Sequence, residues 1–291
     1  SSSAASDVYK RQVMTCTDHY ASGESFQICR CKDCGFQFTH PVPVEAEIGR
    51  YYETPDYISH SDTHKGLMNR VYHWVRRVML ARKARLVKHN SRLSQGSLLD
   101  IGTGTGYFPH FMQERGWHVS AIEKSPQARQ FAKEHFELDV AAPEALNEFA
   151  DKSFDVITLW HVMEHLEHLN ETWETLKRIL KDQGILIIAV PNPTSFDAEK
   201  YKEMWGAYDV PRHLWHFSPS VMQQFGAKHD FILCERHPMP FDAFYVSMLS
   251  EKYRKSAFPF IKGLITGAEA WIVSLAKKDR SSSMIYVFRK K

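Results

Sequence analysis

The hydrophobic residues change period repeatedly along this chain, and each change marks an element. Leu98, Leu99 and Ile101 form a short apolar run, and helical spacing follows from about Tyr107 to Arg115. Trp117 to Ile122 alternates, Ser125 to Phe136 returns to helical spacing, and a weak strand near Leu138 to Val140 precedes a short helix around Glu144 to Phe149. Phe154 to Trp160 and Gly184 to Val190 are almost wholly apolar, with a helix from Asn170 to Lys181 between them. Apolar strands alternating with helices predict an α/β fold built on a doubly wound, mainly parallel sheet buried on both faces.

The flanks read differently. Phe26 to Phe38 alternates like a hairpin. From Gly66 to about His89 the residues Leu67, Val71, Trp74, Val75, Val78 and Leu86 recur at helical spacing, with Arg76, Arg77, Arg82, Lys83 and Arg85 between them. That is an amphipathic helix with a solvated basic face, packed against the sheet. A helix is expected from Ser218 to His229, and Asp242 to Lys278 reads as a substrate lid or an interfacial helix pair. A lid is preferred, because the segment's apolar face would otherwise lie exposed.

Residues 98 to 106, Leu-Leu-Asp-Ile-Gly-Thr-Gly-Thr-Gly, carry the chemistry. Gly102, Gly104 and Gly106 follow a buried strand and let the turn approach a ligand without side chains intervening. Dinucleotide folds place their third glycine one residue later, where this chain has Tyr107, and serve a pyrophosphate there. Asp100 would be a poor neighbour for a phosphate and suits a cationic ligand bearing an amino acid. Glu123 ends the next strand, roughly 20 residues on, where a carboxylate grips ribose hydroxyls in nucleotide-binding units. S-adenosylmethionine combines both features. In doubly wound sheets ligands bind beyond the carboxyl ends of the strands, so the loops after Ile101, Ile122, Trp160 and Val190 should converge.

Composition narrows the class without changing it. The 291 residues are 43% hydrophobic with a net charge of +3, too small and dispersed to favour nucleic acid, so a small-molecule substrate is expected. No apolar run is long enough to span a bilayer. Five cysteines without a secretory leader point to a reducing, cytoplasmic setting. Residues 1–12 are set aside as a non-native leader, because Asp7 to Gln12 resembles the translated end of a library adapter. Residues 13–45 read as a zinc-ribbon-like module, 46–95 as a helical linker or cap, and 96–291 as the cofactor domain with a lid-like insertion at about 239–282. Cys16-x-x-His19 and, eleven residues later, Cys31-x-x-Cys34 have the spacing of two knuckles closing a tetrahedral zinc site of structural role. The alternative is buried thiols in a hairpin, with Cys29 a spare.

With these motifs in place the chain resembles class I S-adenosylmethionine-dependent methyltransferases, within them the small-molecule or sugar methyltransferases. The resemblance covers roughly residues 96 to 237 and rests on Leu98 to Gly106, Glu123, Phe154 to Leu166, Gly184 to Asn192 and Pro211-Arg-His-Leu-Trp-His-Phe217. It implies a seven-stranded Rossmann-like sheet whose antiparallel last strand Ser283 to Phe288 supplies beside Phe231 to Arg236, and a leading helix over the cofactor. Cofactor contacts are then expected from Asp100, Gly102, Gly104, Gly106, Glu123 and Trp160. Pro191-Asn-Pro193 lacks the signature of enzymes that methylate nucleobase or glutamine nitrogens.

Related quinone-pathway enzymes carry a Glu-x-x-Glu-His metal site where this chain has His161-x-x-Glu164-His165, which departs at the first position. If a helix began there, His161, Glu164, His165 and His168 would share one face. A hydroxyl acceptor needs a base, and a neutral histidine suits it; His161 and His213 are the candidates, with His216 next. Tyr208 and Arg212 could hold an acidic or phosphorylated substrate group. The function expected is O-methylation of a sugar or polyketide-like hydroxyl. The alternatives are a quinone-precursor O-methyltransferase and a cofactor-binding regulator without catalysis, and docking on a membrane surface is the less favoured partner reading.

Overall fold

A computed structural model describes residues 9–52, 67–239 and 241–291. Residues 1–8 of the leader and Gly66 lie outside them. The chain opens with an antiparallel meander, β1 (Lys10–Thr17), β2 (Ser25–Cys31) and β3 (Gln37–His40). The basic amphipathic helix follows as α1 (Leu67–Ser91). Then come β4 (Ser97–Ile101), α2 (Tyr107–Gln113), β5 (His118–Ile122), α3 (Pro126–Phe136), β6 (Phe154–Trp160), α4 (Leu169–Ile179) and β7 (Leu180–Pro191). The chain continues through α5 (Phe196–Tyr201), β8 (Trp215–His216), α6 (Pro219–Lys228), β9 (Phe231–Pro238), the helical hairpin α7 (Asp242–Tyr253) and α8 (Pro259–Ala276), and β10 (Ser283–Lys290).

The main sheet has the order β5-β4-β6-β7-β10-β9. Strands β5, β4, β6 and β7 are parallel, and β10 runs antiparallel to both β7 and β9, as the expected last strand does. Among the described residues the sheet has six strands, not seven. The weak run near Leu138 forms a single parallel bridge, Ala141 to Ile122, because Pro143 turns the chain into a 3-10 helix immediately afterwards.

Period-two alternation sorts β7 onto both faces: Leu186, Ile188 and Val190 pack with Trp173, Leu176 and Ile179 of α4, whereas Ile185, Ile187 and Ala189 pack with Val87 of α1 and Phe108 and Met112 of α2. Each such side chain, fully buried, contributes about 1.5–3 kcal/mol, so the sheet is the rigid platform of the molecule. Helices α3 and α6 start where the sequence said, each capped by a serine hydroxyl, Ser125 and Ser218, with proline at the first turn.

The N-terminal meander is not a free-standing ribbon. β3 pairs with β8, matching Gln37 with His216 and Phe38 with Trp215, so a piece of the main domain completes its sheet. Its inner face, Cys16, Phe26 and Ile28, packs on Tyr201, Trp205, Tyr208 and Val210.

The four expected zinc ligands do not converge. Cys16 lies opposite Phe26 and Cys31 opposite Lys10, six positions apart along β1, or roughly 20 Å. Burial, with Glu203 adding to it, pushes the Cys16 thiol up to about 12. His19 instead stacks on Tyr253 at 4.5 Å, and Cys34 is exposed on the turn after β2. The cohesion assigned to zinc comes from Arg212, whose guanidinium holds Asp18 Oδ1 at 3.0 Å and Asp209 Oδ1 at 2.6 Å and donates to the Tyr51 carbonyl at 2.9 Å.

Candidate functional site

The glycine turn leaves β4 as the sequence predicted. Gly102 has φ +67°, and a Cβ there would lie 2.3 Å from Val162 Cγ2, so no other residue fits without displacing the loop after β6. Gly104, at φ +57°, faces open space, and its N–H donates to Glu123 Oε2 at 2.8 Å. Glu123 Oε1 accepts from the Ser125 N–H at 2.8 Å. The carboxylate that closes the second strand is therefore already oriented at the turn, with lone pairs left for further donors.

Asp100 is buried beneath the turn and accepts from Thr158 Oγ1 at 2.5 Å. Burial raises its carboxyl to about 6, against the Thr158 hydrogen bond and the positive charge of Lys83. Lys83 projects from α1 with Nζ 4.4 Å above the Trp160 ring. Burial lowers its pKa, opposed by Asp100 and Asp242. Between α1 and the turn lies a cleft of about 220 Å³, lined among others by Met79, Lys83, Thr103, Thr105, Tyr107 and Phe108. The leading helix thus covers the cleft.

The loop after β6 begins at His161, whose φ of +59° places a non-glycine residue in the left-handed region, at a cost of order 1–3 kcal/mol. Its N–H donates to the Ala189 carbonyl at 2.9 Å, which holds the conformation. The imidazole lies between two carboxylates, Nε2 3.0 Å from Asp242 Oδ2 and Nδ1 3.3 Å from Glu164 Oε1. Burial would lower the His161 pKa, but Asp242 and then Glu164 outweigh it and raise it to about 10. Both carboxylates favour the imidazolium over the neutral form that a base requires. The helix expected to align His161 with His168 begins later: only Met163–His165 form a 3-10 turn, α4 starts at Leu169, and exposed His168 pairs with Glu171.

His213, in the loop before β8, and His165, in the loop after β6, are both anchored. His213 Nδ1 bonds the Ala207 carbonyl at 2.9 Å and His165 Nδ1 the Arg212 carbonyl at 3.0 Å. Each donates there, leaving Nε2 as its acceptor atom. Ligand atoms of Glu164, His165 and His213 lie within 4.8 Å of one another, a set able to hold a proton or a divalent cation. Burial, with His213 adding to it, lowers His165 to about 4 and His216 to about 3. His216 is buried and bonds Thr39 Oγ1 at 3.0 Å, tying β8 to β3 within the N-terminal sheet. Arg212 and Tyr208 are likewise buried, Arg212 saturated by the carboxylates named above and Tyr208 packed edge-on to Trp205 and His216. Both line a small pocket with Asp18, His19 and Tyr253, away from the glycine turn.

Sequence reasoning missed Lys83 and Asp242. Lys83 had a signal: it stands with Leu80, Ala84 and Val87 at the positions of the apolar stripe, where a solvated lysine does not belong. Asp242 had none, being the first residue of a helix that topology swings over the strand ends.

A cleft of this construction, at the carboxyl ends of parallel strands, is the nucleotide-cofactor site of an open α/β sheet. A family model described as a methyltransferase domain matches residues 71–234, and the chain belongs to that family. An uncharacterized methyltransferase of Staphylococcus carnosus is 33% identical over 112 residues, 38% of this chain and 53% of that protein. The mitochondrial ubiquinone biosynthesis O-methyltransferase of Schizosaccharomyces pombe is 27% identical over 134 residues, 43% of this chain and 49% of that one. The chain thus spans about half the length of these curated relatives. A putative sarcosine dimethylglycine methyltransferase from Galdieria sulphuraria shares the fold at TM-score 0.53 and 16% identity, covering 77% of this chain and 88% of that one.

The residues present fit the family's donor, S-adenosylmethionine. Trp160 Nε1 is buried without a hydrogen-bond acceptor beside the cleft, Gly104 leaves room above the turn, and Asp100, Glu123 and Lys83 supply both signs of charge that an amino acid and a ribose require.

Proposed function

We propose that the protein is an S-adenosylmethionine-dependent methyltransferase acting on the hydroxyl oxygen of a small metabolite. The observation that carries the reading is the Asp242–His161–Glu164 cluster, which stands on the loop after β6 next to the glycine turn, with Val162 against Gly102. The donor supplies a sulfonium-activated methyl group. What this chain must do is align the acceptor, exclude water and take its proton. Glu123 and the turn would hold the ribose of the donor, Asp100 would answer its ammonium and Lys83 its carboxylate. Two carboxylates around one imidazole give the cluster a net negative charge, complementary to a cationic centre. Nε2 faces Asp242 and Nδ1 faces Glu164, so neutral His161 takes the acceptor proton by swinging Nε2 off Asp242, and the two carboxylates then stabilise the imidazolium that results.

A sugar or polyketide-like hydroxyl suits this arrangement. A quinone-precursor phenol is the second reading, supported by the likeness to ubiquinone O-methyltransferases. Calorimetry with S-adenosylmethionine tests the first claim, and no binding at high micromolar concentrations removes it. A methyl-turnover screen over nucleotide-sugars, polyketide alcohols, phenols and quinols decides the acceptor. Binding of the donor without turnover on any class, together with a pull-down of a protein partner, would instead favour the regulator.

A further inference from the structure

Helix α8 is built inside out. Its buried positions are the small residues Gly263, Thr266, Gly267, Ala270 and Ser274, and its large side chains, among them Phe260, Ile261, Ile265, Trp271, Ile272 and Leu275, are exposed, Ile272 by 62% and Leu275 by 66%. The orientation is fixed by close packing on α7. A Cβ at Gly263 would lie 2.5 Å from Met248 Cα, and one at Gly267 would lie 2.7 Å from Phe244 Cα. The helix cannot rotate its apolar arc inward without driving large side chains into the α7 backbone. The result is an outward apolar stripe along all of a helix roughly 27 Å long, a feature that water-facing helices lack.

The rim of the stripe is cationic. Lys252 and Lys255 precede it at the α7–α8 turn, Lys262 borders it, and Lys277 and Lys278 follow its end; all five are exposed, and no ion pair is recorded for them among the described residues. The nearby acids are engaged elsewhere, Glu269 with Lys200 at 2.5 Å and Asp279 with Arg236 at 2.9 Å. A second copy laid on this face would bring lysines against lysines in either direction, because both ends of the stripe carry them. A surface that is negative at its outside and apolar beneath meets both features. No helix of the described residues is long and apolar enough to cross a membrane, so α8 would lie on such a surface.

We propose that α8 is an interfacial helix that docks the protein on an anionic lipid bilayer, its Phe, Ile, Leu and Trp side chains among the upper acyl chains and its lysine rim at the headgroups. Flotation of the full chain with vesicles tests it. Vesicles of phosphatidylcholine containing one third phosphatidylglycerol should carry the protein at low salt, and pure phosphatidylcholine should bind at least tenfold more weakly. The double variant Ile265→Asp/Ile272→Asp should lose binding while keeping the melting temperature and affinity for S-adenosylmethionine, and Lys277→Glu/Lys278→Glu should weaken it about tenfold. Absence of flotation with the anionic vesicles overturns the proposal. So does a dimer in sedimentation velocity that Ile265→Asp/Ile272→Asp dissociates, if wild type ignores the vesicles.

Discussion

The two ends of the site are made in different ways. The cofactor end is mostly backbone: three glycines in one turn, two N–H groups on Glu123, one buried carboxylate. The acceptor end is mostly charge, collected from the loop after β6 and the start of α7. A backbone cradle tolerates few substitutions but needs no partner elsewhere in the chain, whereas a charge cluster depends on distant elements arriving together. Damage should therefore separate, with affinity lost at one end and turnover at the other.

The largest effect should come from neither end. Arg212→Ala takes the cation from buried Asp18 and half-buried Asp209, and should cost about 3 kcal/mol, a fall in melting temperature on the order of 10 °C. Donor affinity measured below the new melting point should hold; if it collapsed while the fold survived, the two ends would not be separable. Next, Asp242→Asn should lower kcat by about 10²–10³ with little change in donor affinity. The raised His161 pKa also fixes a sign. Wild-type kcat should climb with pH into the alkaline range, toward about 10, and removing the Asp242 charge should move that climb acidward. For stability, a raised histidine is fully stabilising below the free imidazole value of about 6.5 and loses that contribution as pH rises through about 10. A kcat that is flat from pH 6 to 10 would remove His161 as the base.

Smaller and opposite in kind is Asp100→Asn. It should weaken S-adenosylmethionine by roughly 10–100-fold, the loss of a bond to a charged group. The apo protein should melt no lower at pH 8, because burial holds that carboxyl up at about 6 and its ionised form opposes folding. The smallest effect belongs to Cys31→Ser: an unchanged melting temperature, and no zinc by elemental analysis in either protein. Zinc bound at one equivalent and lost in the variant would show that the ligands converge after all.

What could be read from the sequence follows the same division. The turn, Glu123 and the alternation of strands with helices were legible because local residue types dictate them; Gly102, Gly104 and Gly106 all take positive φ within one turn. The cluster at His161 was legible only in part, since the sequence offers the histidine but not the carboxylate of Asp242 that makes it a cation. The zinc reading failed on register. The Cys-x-x-Cys spacing is local, but which end of β1 faces that turn depends on hairpin direction, and Cys16 is at the far end. The rotation of α8 was not legible either, because periodicity locates an apolar arc without saying which way Gly263 and Gly267 will turn it.

The two-residue strand β8 has a mechanical consequence. It lies between His213 and α6, pairs with β3, and so places the N-terminal sheet in series with the loop that carries anchored His213. A load applied at the amino terminus would travel through the β1–β2–β3 ladder and arrive at Trp215 in shear, and in an optical-trap experiment the histidine loop would yield before the parallel sheet extends.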